Sequence, residues 1–165
     1  MMIKKNRKMQ KLLDEIQKKN NVKLEMGEEQ LEKLLNPSFK MVQDCIVISE
    51  RETNELEKNF EQVIMEYFGD RTGYEASATE TRINDFFQKK IPISSMLRIV
   101  FLLIPIWADK ISKIAPMVKV RFVVSSSNEE VILRFHQLRN DEPSWLIENL
   151  EDYNTEAVGY IDYEF

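Results

Sequence analysis

VKVRFVVSSSNEEVILRFH, residues 118–136, decides the fold. Val118, Val120, Phe122 and Val124 alternate with Lys119, Arg121, Val123 and Ser125. After the turn-rich SSSNEE the alternation resumes, with Val131, Leu133 and Phe135 on one face and Ile132, Arg134 and His136 on the other. Two runs of period two around a polar turn predict an antiparallel hairpin with one face on a core. Residues 157–165 repeat the pattern as a final strand, with Val158, Tyr160, Asp162 and Glu164 on one face. If that strand joins the hairpin, Asp162 and Glu164 lie across from a cationic outer face made by Lys119, Arg121, Arg134 and His136, each opposite-charge pair contributing about 0.2–1 kcal/mol.

Upstream the period changes to that of helices. Met9, Leu12, Leu13 and Ile16 predict an amphipathic helix over 3–19, and Leu31, Leu34 and Leu35 a short second helix closed by Asn36-Pro37. Residues 45–48, CIVI, read as a buried strand. Ser49 and Glu52 have capping-box spacing, and Leu56, Phe60, Val63, Ile64 and Tyr67 then predict a helix to about Phe68, ended by Gly69. The small polar stretch YEASATET, 74–81, reads as an edge strand, and Ile83, Phe86 and Phe87 as a short helix or turn. Residues 93–114 read either as a buried helix kinked or restarted at Pro105, or as a strand over 97–104 followed by a helix that begins with Pro105. Helices early and strands late predict one α+β domain over 1–165, an antiparallel sheet formed largely by the C-terminal third and packed against several helices.

With 43% hydrophobic and 31% charged residues, the composition is that of a globular chain. A single cysteine, Cys45, rules out an internal disulfide and points to a reducing cytoplasm. The basic start has no apolar signal-peptide core, and the run from Met96 to Trp107 is broken by Arg98 and Pro105, too short to span a bilayer. Net charge is −5, unevenly spread. Residues 1–23 carry eight Lys/Arg and two acids (8 − 2 = +6), and residues 141–165 eight acids and no Lys/Arg (−8). Such polarity means a charged partner or two ends lying together in the fold.

Counts exclude most catalytic constellations. One histidine and one cysteine leave no usual zinc site, and four scattered glycines leave no phosphate loop. Asp152-Tyr-Asn-Thr-Glu156 imitates a calcium loop but has Ala157 where glycine is needed and Tyr163 where the bidentate acid belongs. A Ser-His-Asp triad would need His136, whose strand phase sets it beside cations that disfavour its protonation, so a structural or solvated histidine is expected. The expectation is no enzyme, no metal and no cofactor.

The segment RNDEPSWLIENLEDYNTE, 139–156, is the candidate binding surface. Asp141, Glu142, Glu148, Glu151 and Asp152 surround Trp145 and Tyr153, and these acids are expected to have no internal partner. An aromatic anchor in an acidic rim suits a basic protein partner. The competing reading is a one-turn helix after Pro143 whose Trp145, Leu146 and Leu150 cap the core.

RFHQLR, NDEPSWLIENLEDY and the terminal AVGYIDYEF, with ATETRINDFF upstream, resemble the ends of bacterial immunity proteins from polymorphic-toxin and contact-dependent growth inhibition systems. The resemblance implies a cytoplasmic, non-enzymatic protein that binds and neutralises the toxic C-terminal domain of a cognate effector, often a basic nuclease. It implies no small-molecule substrate and no membrane. The alternative is a nucleic-acid-binding regulator that uses Lys4, Lys8, Lys11 and Lys18 of the first helix; the acidic net charge makes nucleic acid the lesser expectation.

Overall fold

A computed structural model describes residues 3–18, 26–49, 59–127 and 129–165. The predicted hairpin forms as β5 (Lys119–Ser127) and β6 (Glu130–Gln137). Ser127 pairs with Glu130 across the turn, Glu129 stands at φ +71°, and all three serines read as turn lie within β5. The last strand, β7 (Ala157–Glu164), pairs antiparallel with β5. Its register sets Lys119 opposite Glu164 and Arg121 opposite Asp162, so the two acids lie across from the cationic face as the alternation predicts. Arg121 Nε and Nη2 reach the two oxygens of Asp162 at 2.7 and 2.8 Å, and Lys119 reaches Glu164 at 3.0 Å.

Two short strands complete the sheet. β1 (Lys4–Lys5) pairs with β7 and β4 (Thr81–Arg82) with β6, giving the order β1-β7-β5-β6-β4, all antiparallel. β2 (Phe39–Val42) and β3 (Cys45–Ile48) form a separate hairpin, and β3 is buried throughout, as its apolar run requires. The chain is an α+β protein whose sheet is built mainly by its C-terminal strands.

Among the described residues five α-helices accompany the strands: α1 (Arg7–Lys18), α2 (Glu28–Leu35), α3 (Phe60–Tyr67), α4 (Arg71–Ala78) and α5 (Ile93–Ile114). α5 settles the open alternative at 93–114 in favour of one helix. Leu97, Val100, Leu103, Ile104, Trp107 and Ile111 are buried, whereas Pro105, which cannot donate a helix hydrogen bond, lies on the exposed side. Inward residues Val120, Phe122, Val124, Val131, Leu133 and Phe135 pack against α5. Phe39, Trp107, Phe122 and Phe135 meet with ring centroids 5.4–6.4 Å apart, mostly edge to face. Trp107 Nε1 donates to the Leu34 carbonyl at 3.0 Å, satisfying one of the last acceptors of α2.

Three expectations are corrected. The first helix begins at Arg7, because Lys4 and Lys5 are drawn into pairing with β7. Residues 74–81 are not an edge strand. Asp70 caps α4 by accepting from the Gly73 amide at 2.6 Å, the helix runs to Ala78, and only Thr81–Arg82 pairs in the sheet. Tyr67, read as part of the apolar stripe of α3, is 71% exposed, whereas Phe60 and Ile64 are buried. Gly69 does end α3: at φ +82° its amide closes on the Ile64 carbonyl. The Ser49–Glu52 capping box and Leu56 lie outside the described residues, apart from Ser49 itself.

Candidate interaction surface on residues 139–156

β5, β6 and β7 turn Arg121, Val123, Arg134, His136, Val158 and Tyr160 away from α5. The strand phase of these residues is as predicted, but the face is not open. Residues 139–156 fold back over it. Leu146 is buried against Val123 and Val158, with Leu150, Tyr153 and Tyr160 around it, so a separate apolar cluster forms on the outer side of the sheet. His136 is 1% exposed rather than solvated. Its Nδ1 is 2.8 Å from the Gln137 carbonyl, and the Trp145 ring lies 6.1 Å away between centroids. Burial holds its pKa below the usual histidine value; Gln137 and Glu75 oppose that shift, and Arg121 and Arg139 favour it.

The expectation that the acids of this segment lack internal partners is also corrected. Arg71, at the start of α4, donates from Nε to Glu142 at 2.6 Å, from Nη2 to Asp141 at 2.7 Å and from Nη1 to Asp44 at 2.7 Å. The other Glu142 oxygen accepts from the Thr72 amide at 2.8 Å and the Thr72 hydroxyl at 2.5 Å. A carboxylate thus sits on the first turn of a helix, where amide donors and the helix dipole favour negative charge. Burial works against the charge of Glu142, but the Thr72 and Arg71 bonds prevail and bring its pKa down to about 2. Glu151 accepts from the Arg7 amide at 2.9 Å at the start of α1, so the basic and acidic ends do meet in the fold. Asn149 Oδ1 accepts from the Glu151 amide at 3.2 Å and its Nδ2 donates to Asp152 at 3.0 Å, and the Ile147 amide donates to the Tyr153 hydroxyl at 3.1 Å.

These bonds sort the seven candidate residues. Glu142 is turned inward and Tyr153 is half-buried under the segment. Asp141, Trp145, Glu148, Glu151 and Asp152 remain on the surface, joined by Ile147, which sequence reasoning did not single out and which is 50% exposed. Trp145 is 38% exposed: one side covers His136 and the Arg134 guanidinium stands 5.7 Å from the ring centre, while the rest faces outward. A groove of about 750 Å³ is lined by Lys4, Lys5 and Arg7 from the N-terminal end and by Glu148 and Glu151 of the segment.

Glu75 was missed altogether. It is fully buried on α4 and accepts from the Ile46 amide at 2.6 Å, the Gln137 amide at 2.7 Å, Gln137 Nε2 at 2.9 Å and Arg139 Nη1 at 2.8 Å. It ties β3, β6 and the first residues of the candidate segment to one carboxylate. Asp70 before Arg71, an N-cap after the Gly69 stop, was the signal for the helix that carries it. Cys45 lies beside this network, 3.8 Å from Arg139 Nη2, and burial pushes its thiol well above the ordinary cysteine value, which disfavours the thiolate. Among the described residues no three His, Cys, Asp or Glu side chains converge as a metal site. No described helix is long and apolar enough to cross a membrane.

The chain belongs to the family described as Uncharacterized protein PM0498. The family model matches residues 4–164, from β1 through β7, so the PM0498 family pattern takes in the whole five-stranded sheet and the segment folded over it. No curated protein and no solved structure matches the chain.

Proposed function

We propose that the chain is a cytoplasmic immunity protein, not an enzyme, that binds and neutralises the toxic domain of a cognate, basic, nuclease-type effector through residues 141–152. The observation that carries this reading is the pairing of Trp145 and Ile147, both substantially exposed, with Asp141, Glu148, Glu151 and Asp152 on one braced segment. A large aromatic anchor that is already held in place loses little conformational freedom on docking. The surrounding carboxylates steer a basic partner and raise the association rate.

Co-expression with the toxic C-terminal domain encoded by a neighbouring gene tests the reading. Protection and co-purification are expected, with Trp145→Ala weakening affinity by at least tenfold and Glu148→Lys slowing association. A chain that neither protects nor co-purifies refutes it. The second reading, a nucleic-acid-binding regulator, is favoured by one observation: Arg7, Lys8, Lys11 and Lys18 are all exposed on α1, though Asp14 and Glu15 are exposed on the same helix. It requires RNA or DNA binding that falls steeply with salt and weakens in a Lys8→Glu, Lys11→Glu variant.

A further inference from the structure

We propose that Trp145 and His136 form a pH-gated latch: the indole of the docking segment seats over the neutral imidazole and swings off when that ring takes a proton. The latch would regulate the surface assigned above to partner binding and rests on that reading for its use, but it is a property of the isolated chain.

The geometry comes from both rings. A carbonyl only accepts, so the 2.8 Å contact to the Gln137 carbonyl places the proton of neutral His136 on Nδ1. Nε2 is then a lone-pair acceptor, buried and without a hydrogen-bond partner among the described residues. Trp145 lies over the ring at 59° and is itself more than a third exposed, so it covers His136 from the solvent side.

The charges around the pair are mostly cationic. Arg121 of β5 is directly opposite His136 and is held from beyond by Asp162 of β7. Arg134, two residues back on β6, is held by Glu80 at 2.6 Å and faces Trp145. Arg139 lies on the chain just after β6, joined to Glu75 of α4 and at 3.8 Å to Glu142 of the covering segment. Glu75 is the carboxylate that favours a charged His136, and its oxygens already take four donors. A second proton on the ring would therefore add a buried N–H without an acceptor and a charge among three guanidinium groups. Moving the indole lets water solvate that N–H.

The sign follows from linkage. Buried as it is with Trp145 seated, His136 titrates below its ordinary 6.5; the latch requires that it return toward that value with Trp145 away. Above pH 6.5 both states are neutral and the latch is indifferent to pH. As pH falls below 6.5, each unit shifts the balance toward the open state by up to about tenfold, until the seated ring titrates as well.

The chain's two tryptophans and one histidine make the test direct. The wild-type protein labelled with 5-fluorotryptophan gives two fluorine resonances, with that of Trp145 assigned by its loss in Trp145→Phe. These and the His136 ring proton are followed from pH 8 to 5. A His136 midpoint below 6.5, a Trp145 resonance that moves with the same midpoint, and a stationary Trp107 resonance are expected. Trp145→Ala should raise the His136 midpoint toward 6.5, and His136→Phe should abolish the response of Trp145. A Trp145 resonance that ignores the His136 titration, moves equally in His136→Phe, or moves together with Trp107 overturns the latch, as does an unchanged His136 midpoint in Trp145→Ala. None of these readouts needs a partner, so the latch and the immunity reading fail separately.

Discussion

Glu142 makes one corner of the molecule sensitive to acid. Its carboxylate is 8% exposed, bound by Arg71 and Thr72, and its pKa falls from an ordinary 4.5 to about 2. A carboxyl whose folded pKa is depressed contributes stability that is present above pH 4.5 and is lost as pH falls from 4.5 toward 2. The difference amounts to at most about 3 kcal/mol. Glu142→Gln should therefore flatten the acid limb of stability: urea midpoints at pH 5 and pH 3 should lie closer together in the variant than in the wild type, with the variant less stable at pH 5. The sequence announced Glu142 as an acid in a rim. Arg71 and Thr72, some seventy positions earlier, turn it into a ligand for the first turn of α4.

At the scale of elements, the outer edge of β6 shows how the sheet is closed. A bare strand edge invites pairing with other chains. β4 covers only Ile132 and Leu133. Side chains occupy the rest: Asn84 Oδ1 accepts from the Val131 amide at 3.0 Å, Thr79 Oγ1 accepts from the Phe135 amide at 2.9 Å and donates to its carbonyl at 2.7 Å, and Glu75 accepts from the Gln137 amide. Thr79 and Glu75 are four residues apart, one face of a helical turn aligned with alternate residues of the strand. Thr79→Val keeps the shape and deletes both bonds, leaving a buried amide and carbonyl unpaired. It should cost about 1–3 kcal/mol in chemical denaturation, and Thr79→Ser should restore most of it. YEASATET reads as an edge strand because small and polar residues carry little period of their own. Its helical face becomes visible only once β6 stands beside it.

Across the whole molecule, Asn6 joins the two ends. It is 2% exposed and its amide nitrogen donates to the Glu156 carbonyl at 2.9 Å and the Leu150 carbonyl at 3.3 Å. Its oxygen accepts from the Val158 amide at 3.1 Å and, as the cap of α1, from the Met9 amide at 3.0 Å. One side chain thus starts the first helix, extends the pairing of β7 and pins the end of the covering segment. Asn6→Ala should destabilise by about 2 kcal/mol or more, combining a lost cap with buried groups left unpaired. Amide exchange should accelerate in 147–158 more than in β5 and β6, which would separate loss of the pin from general weakening.

Much of this architecture is written locally. The alternation in 118–136 and 157–165 set the three central strands and their facing, with Asp162 and Glu164 on the same face as the hairpin's cations, because a period of two leaves one choice of face once a core exists; the register of β7 on β5 chose the Arg121–Asp162 and Lys119–Glu164 pairs. The apolar spacing of 7–18, 28–35 and 60–67 marked three helices for a similar reason. Tertiary structure decided what lies against the outer face. Nothing local to RNDEPSWLIENLEDYNTE says that Leu146 will be buried on Val123 and Val158, that Arg71 will gather Asp44, Asp141 and Glu142, or that Trp145 will cover His136. Those contacts join residues far apart in the chain, and the burial of a polar or charged group depends on the partner that arrives, not on its neighbours in sequence.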